Sequence, residues 1–245
     1  MVVNILVLII SLVALVYAAD YFVSGAVSIA KTIGVSSLVI GLTIVGLGTS
    51  APEILVSGIS SLQGNAGLAV GNALGSNIAN IGMVLGITAI IAPIAMPSGI
   101  IKRELPILMV ISIACYLLAF DGLGQIDGVM MLMTLVVFIG WLIKSSRGNE
   151  HTDDFSGEFD SDMTARKAWI VFFLGLLGLL VSSKLLVWSA VNIAQYFGIS
   201  DLVIGLSVVA VGTSLPELAA SGMSVIKKEG DLALGNIIGS NIYNL

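Results

Sequence analysis

Charge is scarce in this chain. Only 10% of its 245 residues are Asp, Glu, Lys or Arg, against about 25% in an average soluble domain. One cysteine, Cys115, excludes a disulfide framework and a thiolate metal site. One histidine, His151, lies in a polar stretch and leaves no imidazole cluster. Alternation of apolar and polar residues is also missing, which excludes a β-barrel. What is present is apolar: 57% of residues are hydrophobic and the mean hydropathy is +1.08. A soluble core of this size could not hide that surface, and a disordered chain would not carry it. The composition specifies an all-α integral membrane protein. Its 28 glycines fit helices that approach closely in lipid.

A bilayer is crossed by roughly 20 apolar residues in a helix. Spans are expected at 4–28, 38–62, 68–92, 104–120, 126–143, 168–193 and 202–226, with an eighth starting at 231. Basic residues set the orientation. With the N-terminus outside, the loops after spans 1, 3, 5 and 7 are cytoplasmic and hold nine of the ten Lys and Arg residues. The tenth, Lys184, lies inside span 6. Residues 145–167 then form an acidic cytoplasmic linker. It carries Glu150, Asp153, Asp154, Glu158, Asp160 and Asp162, but no EF-hand spacing, and reads as solvated.

Residues 34–81 align without a gap on 198–245, at an offset of 164, with 25 identities in 48 positions. GTSAPE and GNALGSNIAN recur as GTSLPE and GNIIGSNIYN. The offset spans five crossings, an odd number, so the second copy enters from the opposite side. That is an inverted-topology repeat, an architecture of secondary transporters. The expected organisation is a first five-helix unit at 1–144, the linker at 145–167, and a second unit at 168–245. A full second unit would end near residue 308, about 63 residues beyond Leu245. The sequence therefore reads as a fragment with about 8 of 10 helices.

Polar groups in a membrane are costly and usually functional. In span 2, Thr49 and Ser50 precede Glu53 by four and three residues and share its helical face. Pro52 removes the donor that would satisfy the Gly48 carbonyl. Gly46 and Gly48 lie just before. Span 7 repeats the set with Ala210, Gly212, Thr213, Ser214, Pro216 and Glu217. Span 3 adds Asn72, Ser76, Asn77 and Asn80; span 8 adds Asn236, Ser240, Asn241 and Asn244. Gly71, Gly75, Gly235 and Gly239 are placed to admit another backbone. The donors are all oxygens of carboxylates, hydroxyls, amides and carbonyls. They disfavour zinc, copper and nickel and suit calcium, sodium, potassium or magnesium. Asp20 and Lys184 are repeat equivalents, but inverted topology puts them at different depths, which argues against a pair. No nucleophile–base set or cofactor motif appears, so neither an enzyme nor a nucleic-acid partner is expected.

The doubled GTSxPE and GSNIxN motifs resemble the paired alpha repeats of the calcium/cation antiporter superfamily, and the chain is most similar to its prokaryotic sodium/calcium exchanger-like branch. The resemblance implies ten helices in two inverted units, and calcium leaving a prokaryotic plasma membrane as sodium enters. Helices like spans 1 and 6 would slide over a core built from the others. Calcium/proton, potassium-dependent or other cation antiport are the alternatives. Ions and lipid would be its partners, with no cofactor. The implied ion site comprises Thr49, Ser50, Glu53, Ser76 and Asn80 with Thr213, Ser214, Glu217, Ser240 and Asn244. Gly46 and Ala210 match positions that offer backbone carbonyls. One departure stands out: well-studied sodium/calcium members carry Asp where this chain has Asn244.

Overall fold

The computed structural model describes residues 1–95, 102, 105–119, 122–146, 163–199 and 210–245. Every regular element among them is helical. Helix α1 is Val2–Ile33; a bent pair follows, α2 at Ser37–Thr49 and α3 at Ala51–Leu62. Next come α4 (Ala66–Ile91), α5 (Leu105–Ala119) and α6 (Gln125–Ser146). Beyond the linker lie α7 (Ala165–Tyr196), the short α8 (Ala210–Thr213), α9 (Leu215–Ile226) and α10 (Gly230–Tyr243). These match the expected spans. Most of the linker, and most of span 7 before Ala210, lie outside the described residues.

The repeat is visible in backbone geometry. Helices α1 and α7 each have 32 residues, and each is followed by a glycine at φ 73°, Gly34 and Gly198. Helices α3 and α9 have 12 residues each, with a proline in the first turn. Both begin after a serine near ψ 0°: Ser50 at φ −79°, ψ 4°, and Ser214 at φ −88°, ψ 9°. The proline lacks a donor, so the chain bends there by 49° in the first copy. The turns that follow also agree. Gly64 at φ 76° and Lys228 at φ 62° hold the same left-handed position.

At about 1.5 Å per residue, α1 and α7 exceed the roughly 30 Å of bilayer hydrocarbon and must tilt to fit. They pack on each other along much of their length. Small residues allow the approach: a Cβ at Gly25 would run into the Phe172 backbone, and one at Gly175 into the Phe22 backbone. Phe22 and Phe172 then stack with centroids 4.8 Å apart. Apolar side chains such as Ile10, Tyr17, Val136 and Leu174 stay exposed, the pattern of a lipid-facing surface.

Helix α10 runs through the interior and carries Leu232 to Ile242 fully buried. Gly235 and Gly239 meet the carbonyls of Leu38 and Leu42 in α2, so both do admit a backbone. A Cβ added at their equivalents, Gly71 and Gly75, would meet no described atom of another element within 4 Å. The stretch that corresponds to Leu38–Leu42 in the other copy, 202–206, lies outside the described residues. The turn before α10 is also fixed. The Ser37 hydroxyl donates to Glu229 Oε2 at 3.0 Å. Burial pushes the Glu229 carboxyl above its ordinary range, while the Ser37 hydroxyl and the charge of Lys31 pull it back.

Candidate ion-binding site

The helix breaks at Ser50 and Ser214 fall beside the repeated motif in both copies. Thr49, Ser50 and Glu53 in one copy, and Ser214 and Glu217 in the other, are at most 1% exposed. Ser76, Asn80, Ser240 and Asn244 are buried as well, and Thr213 is half-buried. Gly46 is buried in α2, and Ala210 opens α8.

Cross-repeat hydrogen bonds bring several of these groups together. Thr49 Oγ1 donates to Asn236 Oδ1 at 3.0 Å and lies 3.3 Å from Ser240 Oγ. Ser50 Oγ donates to Glu217 Oε1 at 3.1 Å. The Gly46 carbonyl accepts from Ser240 Oγ at 3.5 Å and Thr49 Oγ1 at 3.3 Å. Glu53 lies within electrostatic reach of Glu217. Ser76 and Asn80 are buried on α4. Asn80 opens a π-helical turn, Asn80–Leu85, and a second π-turn, Gly41–Val45, leads into Gly46. Such turns shift side chains off the ordinary helical register and are frequent at functional positions. Nothing in the residue pattern announced them.

Several buried polar atoms have no hydrogen-bond partner among the described residues. Both carboxylate oxygens of Glu53, Oε2 of Glu217, the Ser214 hydroxyl and Oδ1 of Asn80 are in this state. So are the amide nitrogens of Asn80 and Asn244. An unsatisfied buried group costs about 1–3 kcal/mol, and a carboxylate more. The convergence of such atoms is the mark of a polar centre built for something other than packing.

Two supporting pairs escaped the sequence analysis. Asn72 Nδ2 donates to the Glu53 carbonyl at 3.1 Å and to Ser57 Oγ at 2.9 Å. Asn236 Nδ2 does the same to the Glu217 carbonyl at 3.4 Å and to Ser221 Oγ at 2.9 Å. Ser57 and Ser221 stand four residues after each glutamate, and that signal was available in the repeat. Asp20 was not expected to pair with its repeat equivalent, Lys184. It pairs with Lys227, whose Nζ lies 2.7 Å from Asp20 Oδ1. No periodicity connects residues so far apart.

Inverted helical repeats around a buried polar centre define the class: a membrane transporter, not an enzyme. The sodium/calcium exchanger protein family matches residues 3–144 and 167–245. The putative antiporter CaxA of Alkalimonas amylolytica is 48% identical over 243 residues, which cover 96% of this chain and 76% of CaxA. The sodium/calcium exchanger MaX1 of Methanosarcina acetivorans is 32% identical over 287 residues, covering 99% and 80%. Among solved structures, the sodium-calcium exchanger NCX_Mj superposes with a TM-score of 0.86 at 37% identity, covering 100% of this chain and 79% of the other. The chain belongs to the sodium/calcium exchanger protein family, and it is a cation antiporter of prokaryotic type.

Proposed function

We propose that the protein exchanges calcium for sodium, with both ions held in turn between Glu53 and Glu217. The carrying observation is the set of unpartnered oxygens on Glu53, Glu217, Ser214 and Asn80, buried where the two repeats meet. Two carboxylates at that depth are very costly alone. A divalent ion offsets both charges, and two sodium ions do the same. Calcium accepts six to eight oxygens at flexible geometry. The hydroxyls of Thr49, Ser50, Ser76, Thr213, Ser214 and Ser240, the amide oxygens of Asn80 and Asn244, and the carbonyls of Gly46 and Ala210 complete the proposed set.

The repeat units are 1–144 and 168–245, joined by a cytoplasmic linker, with the N-terminus outside the prokaryotic inner membrane. The basic residues support that orientation. The test is calcium-45 uptake into proteoliposomes loaded with sodium. Uptake that needs outward sodium flow supports the reading. Uptake driven by a pH gradient and indifferent to sodium overturns it in favour of calcium/proton exchange.

A further inference from the structure

Lys227 ends α9 and points its ammonium at α1. Its Nζ lies 2.7 Å from Asp20 Oδ1 and 3.0 Å from Ser24 Oγ, and the lysine side chain is 7% exposed. Asp20 and Ser24 are one turn apart, and the Ser24 hydroxyl also donates to the Asp20 carbonyl at 2.8 Å. The contact therefore joins the α1–α7 pair to the bent helix that carries Glu217.

The repeat gives this contact an equivalent to compare with. By the offset of 164, α1 corresponds to α7 and α9 to α3. Helix α1 packs against α9, with Ala220 of α9 buried in the same apolar cluster as Phe22, Val23 and Ala26 of α1. Helix α7 makes no comparable contact with α3, although both are fully described. One seam is shut and its repeat equivalent is not. In a transporter built of inverted repeats, the opposite-facing state arises when the two repeats exchange conformations. The α7–α3 seam is then the one that closes. At the position of Asp20 it offers Lys184, at that of Ser24 it offers Trp188, and at that of Lys227 it offers Gln63. An anion facing a cation is replaced by a cation facing a neutral amide.

We infer that Asp20 and Lys227 form a one-sided latch, which holds the α1–α9 seam shut and biases the empty protein toward the state seen in this structure. The inference rests on the antiport reading, because alternating access is what gives a latch its use. Asp20 is half-exposed, with its side chain 45% accessible, so the bias is a few-fold and easily overcome by ion binding.

The test reads the seam directly and needs no transport. Ala220→Cys, in a Cys115→Ser background, places a thiol where the alanine is fully buried against α1. Its reaction with N-ethylmaleimide is timed in proteoliposomes free of calcium and sodium. Asp20→Asn and Lys227→Gln should each speed labelling about threefold. Asp20→Lys combined with Lys227→Asp should return it to the starting rate. Gln63→Asp should also speed labelling, because it gives Lys184 an anionic partner in the other state; Gln63→Asn should not. Gln63 and Asp20 are both accessible, so the substitutions at these two positions keep the fold. Unchanged labelling in both Asp20→Asn and Gln63→Asp would overturn the latch. Absence of sodium-dependent exchange in the parent protein, with this labelling pattern intact, would overturn the antiport reading and leave the pair as a contact that biases the seam.

Discussion

Glu53 and Glu217 close the same GTSxPE motif in the sequence and have different partners in the fold. Oε1 of Glu217 accepts the Ser50 hydroxyl, whereas neither oxygen of Glu53 has a partner among the described residues. Glu53 is thus the more dependent of the two on an external positive charge. Glu53→Gln and Glu217→Gln keep shape and each remove one charge. In proteoliposomes each should cut sodium-dependent calcium flux at least about tenfold, since a divalent ion in a poorly screened site needs both counter-charges. Flux near the wild-type value in either variant would remove that residue from the site. The carboxylates, hydroxyls and amides were legible in the sequence because each sits in a motif that occurs twice. The π-turns were not, since they change no residue type and leave the spacing of apolar positions nearly intact. Nor was the Asp20–Lys227 pair: the repeat offset matched Asp20 with Lys184, but a repeat relates equivalent positions and does not bring them into contact.

At the scale of elements, the two copies of one turn carry different residues at the same strained position. Gly64 adopts φ 76° at no steric cost, while Lys228 holds φ 62° with a side chain attached. The backbone bonds are alike: the N–H of residue 64 donates to the Ser61 carbonyl and that of 228 to the Val225 carbonyl, both at 3.0 Å. Lys228→Gly should therefore stabilise the protein by about 1 kcal/mol, read as a raised Tm in detergent. An unchanged or lowered Tm would show that contacts of the lysine side chain outweigh the strain. Gly175 tests the opposite case. A Cβ there would meet backbone of Phe22 rather than the yielding end of a side chain. Gly175→Ala should push α1 from α7 and cost about 1–3 kcal/mol, seen as a lower Tm. The spans were legible because apolar runs of the right length have one solution in lipid. The close approach of Gly235 and Gly239 to another backbone was legible too, because a small residue four positions from another on one helix face leaves room for it.

For the whole molecule, what matters is the total charge that the site presents to its ions. The repeat places Asn80 and Asn244 at equivalent positions, both neutral and both buried. Glu53 and Glu217 are then the fixed charges of the proposed site. Calcium brings the pair to neutrality, and so do two sodium ions. A third sodium would leave net positive charge in an interior that screens poorly. The expected coupling is therefore two sodium ions per calcium at the central cluster, an exchange that moves no net charge. The reversal condition of calcium flux in proteoliposomes with fixed sodium and calcium gradients measures this. At two sodium ions per calcium, the reversal point should not move when a potassium diffusion potential is imposed. A shift with voltage would show a third ion. Asn244→Asp replaces a buried amide by a carboxylate of nearly the same shape. That variant should tighten sodium binding. It should also become more sensitive to acid than the parent, because a third acidic group shares a site with two others. If parent and variant have the same voltage dependence, sodium affinity and pH profile, the charge at position 244 does not set the coupling ratio.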